Sequence, residues 1–132
     1  LIAGFPTGLF IDGSLAETNA NSGSLQVRNT IIAGCTTPLT ASTSFDIQAW
    51  FNTAGYGNTV LSNSVDVQSY YPVNLATPSF LPQSGSALLS GADFSASNLQ
   101  GGFFTNVNYR GAFGSNDWTQ GWTNFDPQNT DY

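Results

Sequence analysis

The chain has 132 residues, 40% hydrophobic and 14% aromatic, which suits one domain with a hydrophobic core. Only 8% of its residues are charged, and two arginines against eight acidic residues give a formal net charge of −6. This charge excludes nucleic acid and disfavours an anionic membrane surface, because almost nothing could neutralise phosphates. No apolar run approaches the roughly 18 residues that a membrane-spanning helix needs, so no membrane insertion is expected.

Two segments of the chain resemble each other at a fixed offset. When residues 1–10 are set over residues 31–40, Ile, Ala, Gly, Thr and Leu recur at the same five places. Self-similarity at a spacing of a few tens of residues is typical of repeat architectures, in which each unit buries its apolar face against its neighbours. The two segments are therefore predicted to be equivalent parts of stacked units.

The elements around this repeat can be predicted in chain order. Leu9–Ile11 is predicted to be a short strand, and the polar residues Ser14–Gly23 a loop. Ser24–Arg28 alternates apolar and polar residues, which predicts a half-buried strand, and Ile31–Gly34 predicts another. Between them, Asn29 suits a corner with left-handed backbone, where its side-chain amide could hydrogen-bond to stacked neighbours. The alternative is that Asn29 is an ordinary turn residue that makes no such ladder.

The residues after this repeat change character and predict a short helix over about residues 44–53. Ser42–Ser44 offers an N-cap, and Ile47, Trp50 and Phe51 fall at helical spacing on one face. Trp50 is predicted to pack in the core rather than to serve as a ligand platform.

The middle of the chain predicts further short apolar segments. Asn58–Leu61 and Val65–Val67 are predicted to be strands, and Tyr70–Pro78 an aromatic, proline-bearing loop. Ser79–Pro82 and Ser86–Gly91 are predicted to form the next pair of apolar segments, although the prolines argue against central strand positions.

The C-terminal region predicts an aromatic helix over about residues 117–125. Asp117 lies in its cap, and Trp118, Trp122 and Phe125 fall on one face at i, i+4 and i+7. The end of a stack of repeats exposes apolar surface and unpaired strand edges, and this helix is predicted to cover them. The alternative is a sugar-stacking platform, because indole faces also bind pyranose rings.

Arg110, one of only two cations, is predicted to pair with Asp117 or Asp126 and so hold this cap to the last repeat. The predicted structural cap thus comprises Arg110, Asp117, Trp118, Trp122 and Phe125.

Several motifs together resemble a known family. These are Leu25–Gly34, Phe80–Gly91, Tyr109–Gly114, Asp117-Trp118 and Gly121-Trp122. They resemble the C-terminal part of secreted right-handed parallel β-helix proteins, large and mostly uncharacterised surface proteins of Bacteroidetes-type bacteria, many of them exported by the type IX route. The resemblance implies a secreted or bacterial cell-surface location, and it supplies no catalytic residues.

The predicted fold class is accordingly all-β, a fragment of a right-handed parallel β-helix with a few rungs, the inserted helix and the capping helix. One domain over residues 1–132 is expected, with rungs and insertions in 1–102 and the cap in 103–132. Because Leu1 already lies within a predicted strand, the chain is interpreted as a piece of a longer protein with upstream rungs.

Little in the sequence suggests catalysis. The chain has no histidine, which removes catalytic triads and most zinc sites. Its single cysteine, Cys35, is predicted to be a small buried hydrophobe, and the aspartates are dispersed, although Asp12 and Asp66 could meet across stacked units. No catalytic residue, cofactor or resident metal is predicted. Calcium at the turns Asn116-Asp117 or Asp126–Asn129 is an alternative, because both are rich in oxygen ligands.

Two functions follow as hypotheses. The first is a non-catalytic structural or capping segment of a secreted surface protein, with adhesion as an option. The second is part of a polysaccharide-binding or polysaccharide-degrading protein whose active groove lies on upstream rungs. Glycans, other surface proteins and those rungs are the expected partners.

Overall fold

The computed structural model describes residues 1–67 and 78–131. Its regular elements are concentrated in the first half of the chain. In order they are β1 (Ile2–Ala3), β2 (Thr7–Ile11), α1 (Ser14–Asn21), β3 (Ile31–Ala33), β4 (Thr37–Ala41), α2 (Ile47–Phe51) and β5 (Thr59–Leu61). Short 3₁₀ turns follow at Ser64–Val67, Ala87–Leu89, Ser97–Leu99 and Pro127–Asn129.

The strands form two parallel sheets whose register follows the internal repeat. One sheet has the order β1-β3-β5 and the other pairs β2 with β4. Ile2 lies opposite Ile32, and Leu9 lies opposite Leu39, so residues that recur in the sequence are direct partners in space. The expectation that the two segments are equivalent is confirmed at the level of strand pairing.

The predicted fold class is nevertheless wrong. The described residues form a small mixed α/β fold, and its two short sheets neither close nor build a solenoid. Three physical reasons account for this outcome. The strands have only two to five residues, two helices occupy the connections between them, and beyond Leu61 the described backbone makes 3₁₀ turns in place of long strands.

Helix α1 occupies the segment that was predicted to be a loop. It begins after Gly13, which provides no side-chain cap, and this missing signal concealed its start. Leu, Ala and Glu within the segment favour helix, and Ala20 is buried against the core. The Thr43 hydroxyl also donates to the Glu17 carboxylate (2.5 Å), which ties the helix to the chain after β4.

Helix α2 confirms the predicted helix, within narrower bounds. Its N-cap is Asp46, whose carboxylate accepts a hydrogen bond from the Ala49 backbone N–H at 2.9 Å, so the cap is not Ser42–Ser44. Ile47, Trp50 and Phe51 are all buried, as their spacing predicted, and Trp50 packs in the core.

Strand β3 is buried on both faces and separates two hydrophobic clusters. Ile32 packs on one side, and Ile31 and Ala33 pack on the other. Such a central strand reads as an uninterrupted apolar run. The buried members of the first cluster are Ile11, Ala20, Ile32, Cys35, Leu39, Ile47, Trp50 and Phe51, and those of the second are Ile31, Ala33, Val67 and Leu88. Cys35 is therefore buried, as predicted.

The predicted strand over Ser24–Arg28 does not form, although its apolar residues point inward. Leu25 and Val27 pack against the first cluster without joining a sheet. Asn29 has φ 51°, the left-handed conformation expected of a corner residue. Its backbone N–H donates to the Tyr56 carbonyl at 2.7 Å, so the corner is held by the segment before β5.

The amide of Asn58 joins three segments of the chain. Its Nδ2 donates to the carbonyls of Val27 (2.7 Å) and Phe51 (2.9 Å), while its Oδ1 accepts from the Thr30 backbone N–H (2.9 Å). All three backbone groups lie outside any sheet ladder, so the side chain supplies hydrogen bonds that regular structure does not.

The later predictions were less accurate. The strand predicted over Asn58–Leu61 is confirmed as β5 from Thr59 onward, but Val65–Val67 lies in a 3₁₀ turn. Ser79–Pro82 and Ser86–Gly91 form no strand of a sheet, and the second contains a 3₁₀ turn. The predicted loop lies outside the described residues except for its last proline. Within 1–67 and 78–131, no helix is long and apolar enough to cross a membrane.

Gly8 allows β2 and β4 to approach each other closely. A Cβ atom at this position would lie 2.5 Å from the Pro38 carbonyl oxygen and 2.8 Å from Ile32 Cγ2. We expect Gly8→Ala to lower the free energy of unfolding by about 1–3 kcal/mol, the usual cost of overpacking. Urea denaturation would measure the loss. Gly55→Ala is a contrasting variant, because an added Cβ there meets no atom within 4 Å and any loss of stability comes from its positive φ. Equal stability of Gly8→Ala and the wild type would contradict the prediction.

Candidate functional site

Five aromatic rings in the C-terminal half form a continuous series of contacts. From one end to the other they are Trp122, Trp118, Phe113, Phe80 and Phe125, and we call them the aromatic row. The centroids of neighbouring rings lie between 5.2 and 5.9 Å apart. This spacing falls in the favourable range for aromatic pairs.

The two indoles lie on a single turn of backbone, and the predicted helix over 117–125 is wrong. Asp117 begins the turn as expected, because its carboxylate accepts the Thr119 backbone N–H at 2.9 Å. The Thr123 N–H then reaches the Thr119 carbonyl at 3.3 Å. Gly121 has φ 86°, which a continuing right-handed helix excludes, so the turn does not extend to Phe125.

The stacking within the row is nearly parallel around Trp118. Its ring lies at 8° to that of Phe113 and at 23° to that of Trp122. A centroid distance of 5.9 Å between the indoles exceeds the roughly 3.5–4 Å thickness of a ring contact, so the two rings are offset. Each indole therefore leaves part of its surface uncovered by the other.

Both indoles are exposed and held in fixed orientations. Trp118 is 53% exposed and Trp122 is 68% exposed. The Trp118 Nε1–H donates to the Ala112 carbonyl at 3.0 Å, and the Trp122 Nε1–H donates to the Trp118 carbonyl at 2.6 Å. Two large rigid apolar surfaces are thus presented to solvent with their polar N–H groups already satisfied.

Half-buried phenylalanines anchor the inner end of the row. Phe80 stacks on Phe113 at 5.2 Å and also contacts Phe125 at 5.2 Å, so residues far apart in the sequence meet here. Neither Phe80 nor Phe113 was among the predicted site residues. Their aromatic character was the only signal in the sequence, and it indicates no partner.

Arg110 does not make the predicted ion pair. Among the described residues, its guanidinium lies within ion-pairing distance of neither Asp117 nor Asp126, and its buried Nε has no hydrogen-bond partner. Asp117 instead accepts from Thr119, and Asp126 accepts from the Asn129 side-chain amide at 2.9 and 3.0 Å. Short polar neighbours within the same turns satisfy both carboxylates.

The five predicted cap residues are only partly brought together. Trp118, Trp122 and Phe125 belong to the row, Asp117 starts its turn, and Arg110 lies on a separate cavity. Their role as a cap stays a prediction. The exposure of the two indoles favours the alternative, a platform on which sugars stack.

No cluster of three potential metal-ligating His, Cys, Asp or Glu side chains occurs in the part of the chain that the structure describes. Calcium at the two aspartate turns stays a prediction.

No protein-family model, curated protein or solved structure matches this chain significantly. The resemblance to secreted β-helix surface proteins therefore remains an expectation from the sequence motifs.

Proposed function

We propose that this chain is a non-catalytic carbohydrate-binding segment of a secreted or cell-surface protein, with an adhesive role. The observation that carries the proposal is the pair of exposed, mutually stacked indoles of Trp118 and Trp122. The C–H-rich face of a pyranose ring is apolar, whereas its hydroxyls remain hydrated at the edge. A flat aromatic surface that is more than half exposed to solvent suits such a ligand.

The fixation of the indoles supports this proposal energetically. Because both N–H groups are bonded to backbone carbonyls and both rings stack on neighbours, little rotamer freedom remains to be lost on binding. A rigid aromatic pair offers large contact area at low entropic cost. This arrangement favours a binding surface over residues that merely fill the core.

The proposal predicts that Trp122→Ala weakens glycan binding at least about tenfold. Trp122 is the more exposed ring and ends the row, and covering roughly 60 Å² of its apolar surface at about 25 cal/mol per Å² would contribute about 1.5 kcal/mol, close to tenfold in Kd. Affinity electrophoresis against β-glucan, xylan and mannan would identify a ligand. Titration with the corresponding oligosaccharide, monitored by tryptophan fluorescence, would then give Kd for the wild type and the variant.

Phe103→Ala is the matched control, because Phe103 is 87% exposed and its ring contacts Phe104 outside the row. It should bind glycans like the wild type. The proposal is overturned if no glycan binds, if Trp122→Ala binds as tightly as the wild type, or if Phe103→Ala loses affinity to the same degree.

A further inference from the structure

The only two arginines of this acidic chain line the same cavity. Arg28 and Arg110 lie on the wall of a space of about 360 Å³, which we call the arginine cavity. Asn29, Thr30, Asp93 and Tyr109 are also on its wall, so hydroxyl, amide and carboxylate groups accompany the guanidinium groups. The volume lies at the small end of the range of roughly 300–1,000 Å³ found for ligand sites.

Arg110 carries hydrogen-bonding capacity that the protein does not use. Its Nε is buried without an acceptor, although its backbone N–H donates to the Leu88 carbonyl at 2.7 Å. The guanidinium packs closely against Gly91, since a Cβ atom added there would lie 2.9 Å from its Cζ. A guanidinium donor without an acceptor is costly unless something outside the described chain accepts from it.

Arg28 is held at the cavity wall with most of its charge unpaired. Its Nε donates to the Gln26 side chain at 2.7 Å, and its Cζ lies 4.6 Å from the centre of the Tyr56 ring. Among the described residues, no ion pair joins a carboxylate to either arginine, although the charge of Arg28 acts on Asp93. The cation–π contact orients the guanidinium without neutralising it.

Asp93 is the acidic group on this wall, and it is engaged by its own loop. Its two carboxylate oxygens accept from the backbone N–H (2.8 Å) and the hydroxyl (3.0 Å) of Ser95. These hydrogen bonds and, to a lesser extent, the charge of Arg28 lower the pKa of Asp93, so it is ionised at neutral pH. Among the side chains of this wall, two guanidinium charges against one carboxylate leave an excess of positive charge, which suits a negatively charged ligand.

The cavity is close to the aromatic row. Gly111 lies on its wall, and the carbonyl of the next residue, Ala112, accepts the Trp118 indole N–H. Consecutive Cα atoms are about 3.8 Å apart, so a single residue step separates the cavity wall from the carbonyl that holds Trp118.

We propose that the arginine cavity binds the carboxylate of an acidic sugar, so that the glycan taken by the row is one that contains hexuronate residues. A planar carboxylate matches the paired N–H donors of a guanidinium. A single negative charge also suits a protein of net charge −6, which would repel a polyanion of high charge density. This inference rests on the proposed function and specifies its substrate class.

The test compares an oligosaccharide that carries one hexuronate residue with its methyl ester, which removes the charge and keeps the sugar. The wild type should bind the acid about tenfold or more tightly than the ester, and added salt should reduce the difference. Arg110→Gln should remove this preference by weakening binding of the acid far more than binding of the ester, and Arg28→Gln should reduce the preference. Melting temperatures of both variants would confirm that they fold.

Two further variants separate a local charge from the overall charge. Asp93→Asn and Asp12→Asn change the net charge equally, but only Asp93 lines the arginine cavity. We expect Asp93→Asn to strengthen acid binding several-fold and Asp12→Asn to change it little. Because the α-amino group of Leu1 also lies at this wall, the acetylated chain should retain the preference for the acid.

The outcomes distinguish this inference from the proposed function. Equal affinity for acid and ester, with both lost in Trp122→Ala, overturns the inference alone. If Arg110→Gln loses acid binding and Trp122→Ala keeps it, the result supports the cavity. The same result overturns the proposed function, which depends on the indole of Trp122. Absence of binding to either ligand overturns both.

Discussion

Phe51→Ala is expected to lower the free energy of unfolding by about 3–5 kcal/mol. Phe51 is 0% exposed and, within residues 1–67 and 78–131, is the largest of the fully buried side chains; it lies at the end of α2 in the first hydrophobic cluster. Its truncation removes buried apolar area and leaves a cavity that surrounding residues fill only in part. Because domains of this size have a total stability of about 5–15 kcal/mol, the variant should be marginally folded at room temperature.

Urea denaturation followed by circular dichroism would measure this loss. Phe51→Leu should lose less, because much of the volume is kept. Phe103→Ala, at an 87% exposed position, should stay within about 0.5 kcal/mol of the wild type. A loss below about 1.5 kcal/mol for Phe51→Ala would contradict the predicted role of this ring in the core.

Asn58→Ala is expected to destabilise the protein by about 3 kcal/mol without removing any apolar contact. The substitution deletes three hydrogen bonds and leaves the Thr30 N–H and the carbonyls of Val27 and Phe51 without partners. Each abandoned group costs about 1–3 kcal/mol if it stays dry, and the partial exposure of this region reduces the sum.

Asn58→Asp separates the donor and acceptor roles of this side chain. The acid keeps an oxygen for the Thr30 N–H but places a negative charge beside two carbonyl oxygens, so at neutral pH it should be at least as unstable as Asn58→Ala. The matched control is Asn52→Ala, since the exposed Asn52 amide donates to the Gln48 carbonyl of its own helix. Equal stability losses for Asn52→Ala and Asn58→Ala would refute the three-segment role.

The pairing of β1 with β3 and of β2 with β4 could be predicted because the repeat places identical residues at one offset. Helix α2 could be predicted because its apolar residues follow helical spacing, even though its N-cap is Asp46 and not the predicted Ser42–Ser44. In both cases the information is local in the sequence or repeated within it.

The remaining differences have physical causes that the sequence pattern does not reveal. Helix α1 begins without a side-chain cap and is polar, so only its propensities favoured helix. The predicted C-terminal helix is only a turn because Gly121 adopts a positive φ, which a glycine allows but does not require. The spacing of Trp118 and Trp122 still places their rings together, on a turn in place of a helix.

The candidate site combines residues that no short-range pattern could relate. Phe80 contacts Phe113 and Phe125, which lie far from it in the sequence. Arg28 and Arg110 line the same cavity although they are 82 positions apart in the sequence. The charge of the arginines was evident from composition, but their sharing of one cavity depends on tertiary folding. The predicted ion pair was wrong because nearby Thr and Asn side chains satisfy the aspartates first.

The parallel register of the strands also has a kinetic consequence. Each strand pair in the described part of the chain joins residues about 30 positions apart, so these sheets depend on non-local contacts. Each pairing must close a long loop before its hydrogen bonds offset the lost chain entropy, which slows folding relative to a helical protein of the same length. Helices α1 and α2 lie inside these loops, and their early formation would shorten the flexible length that each closure must restrict.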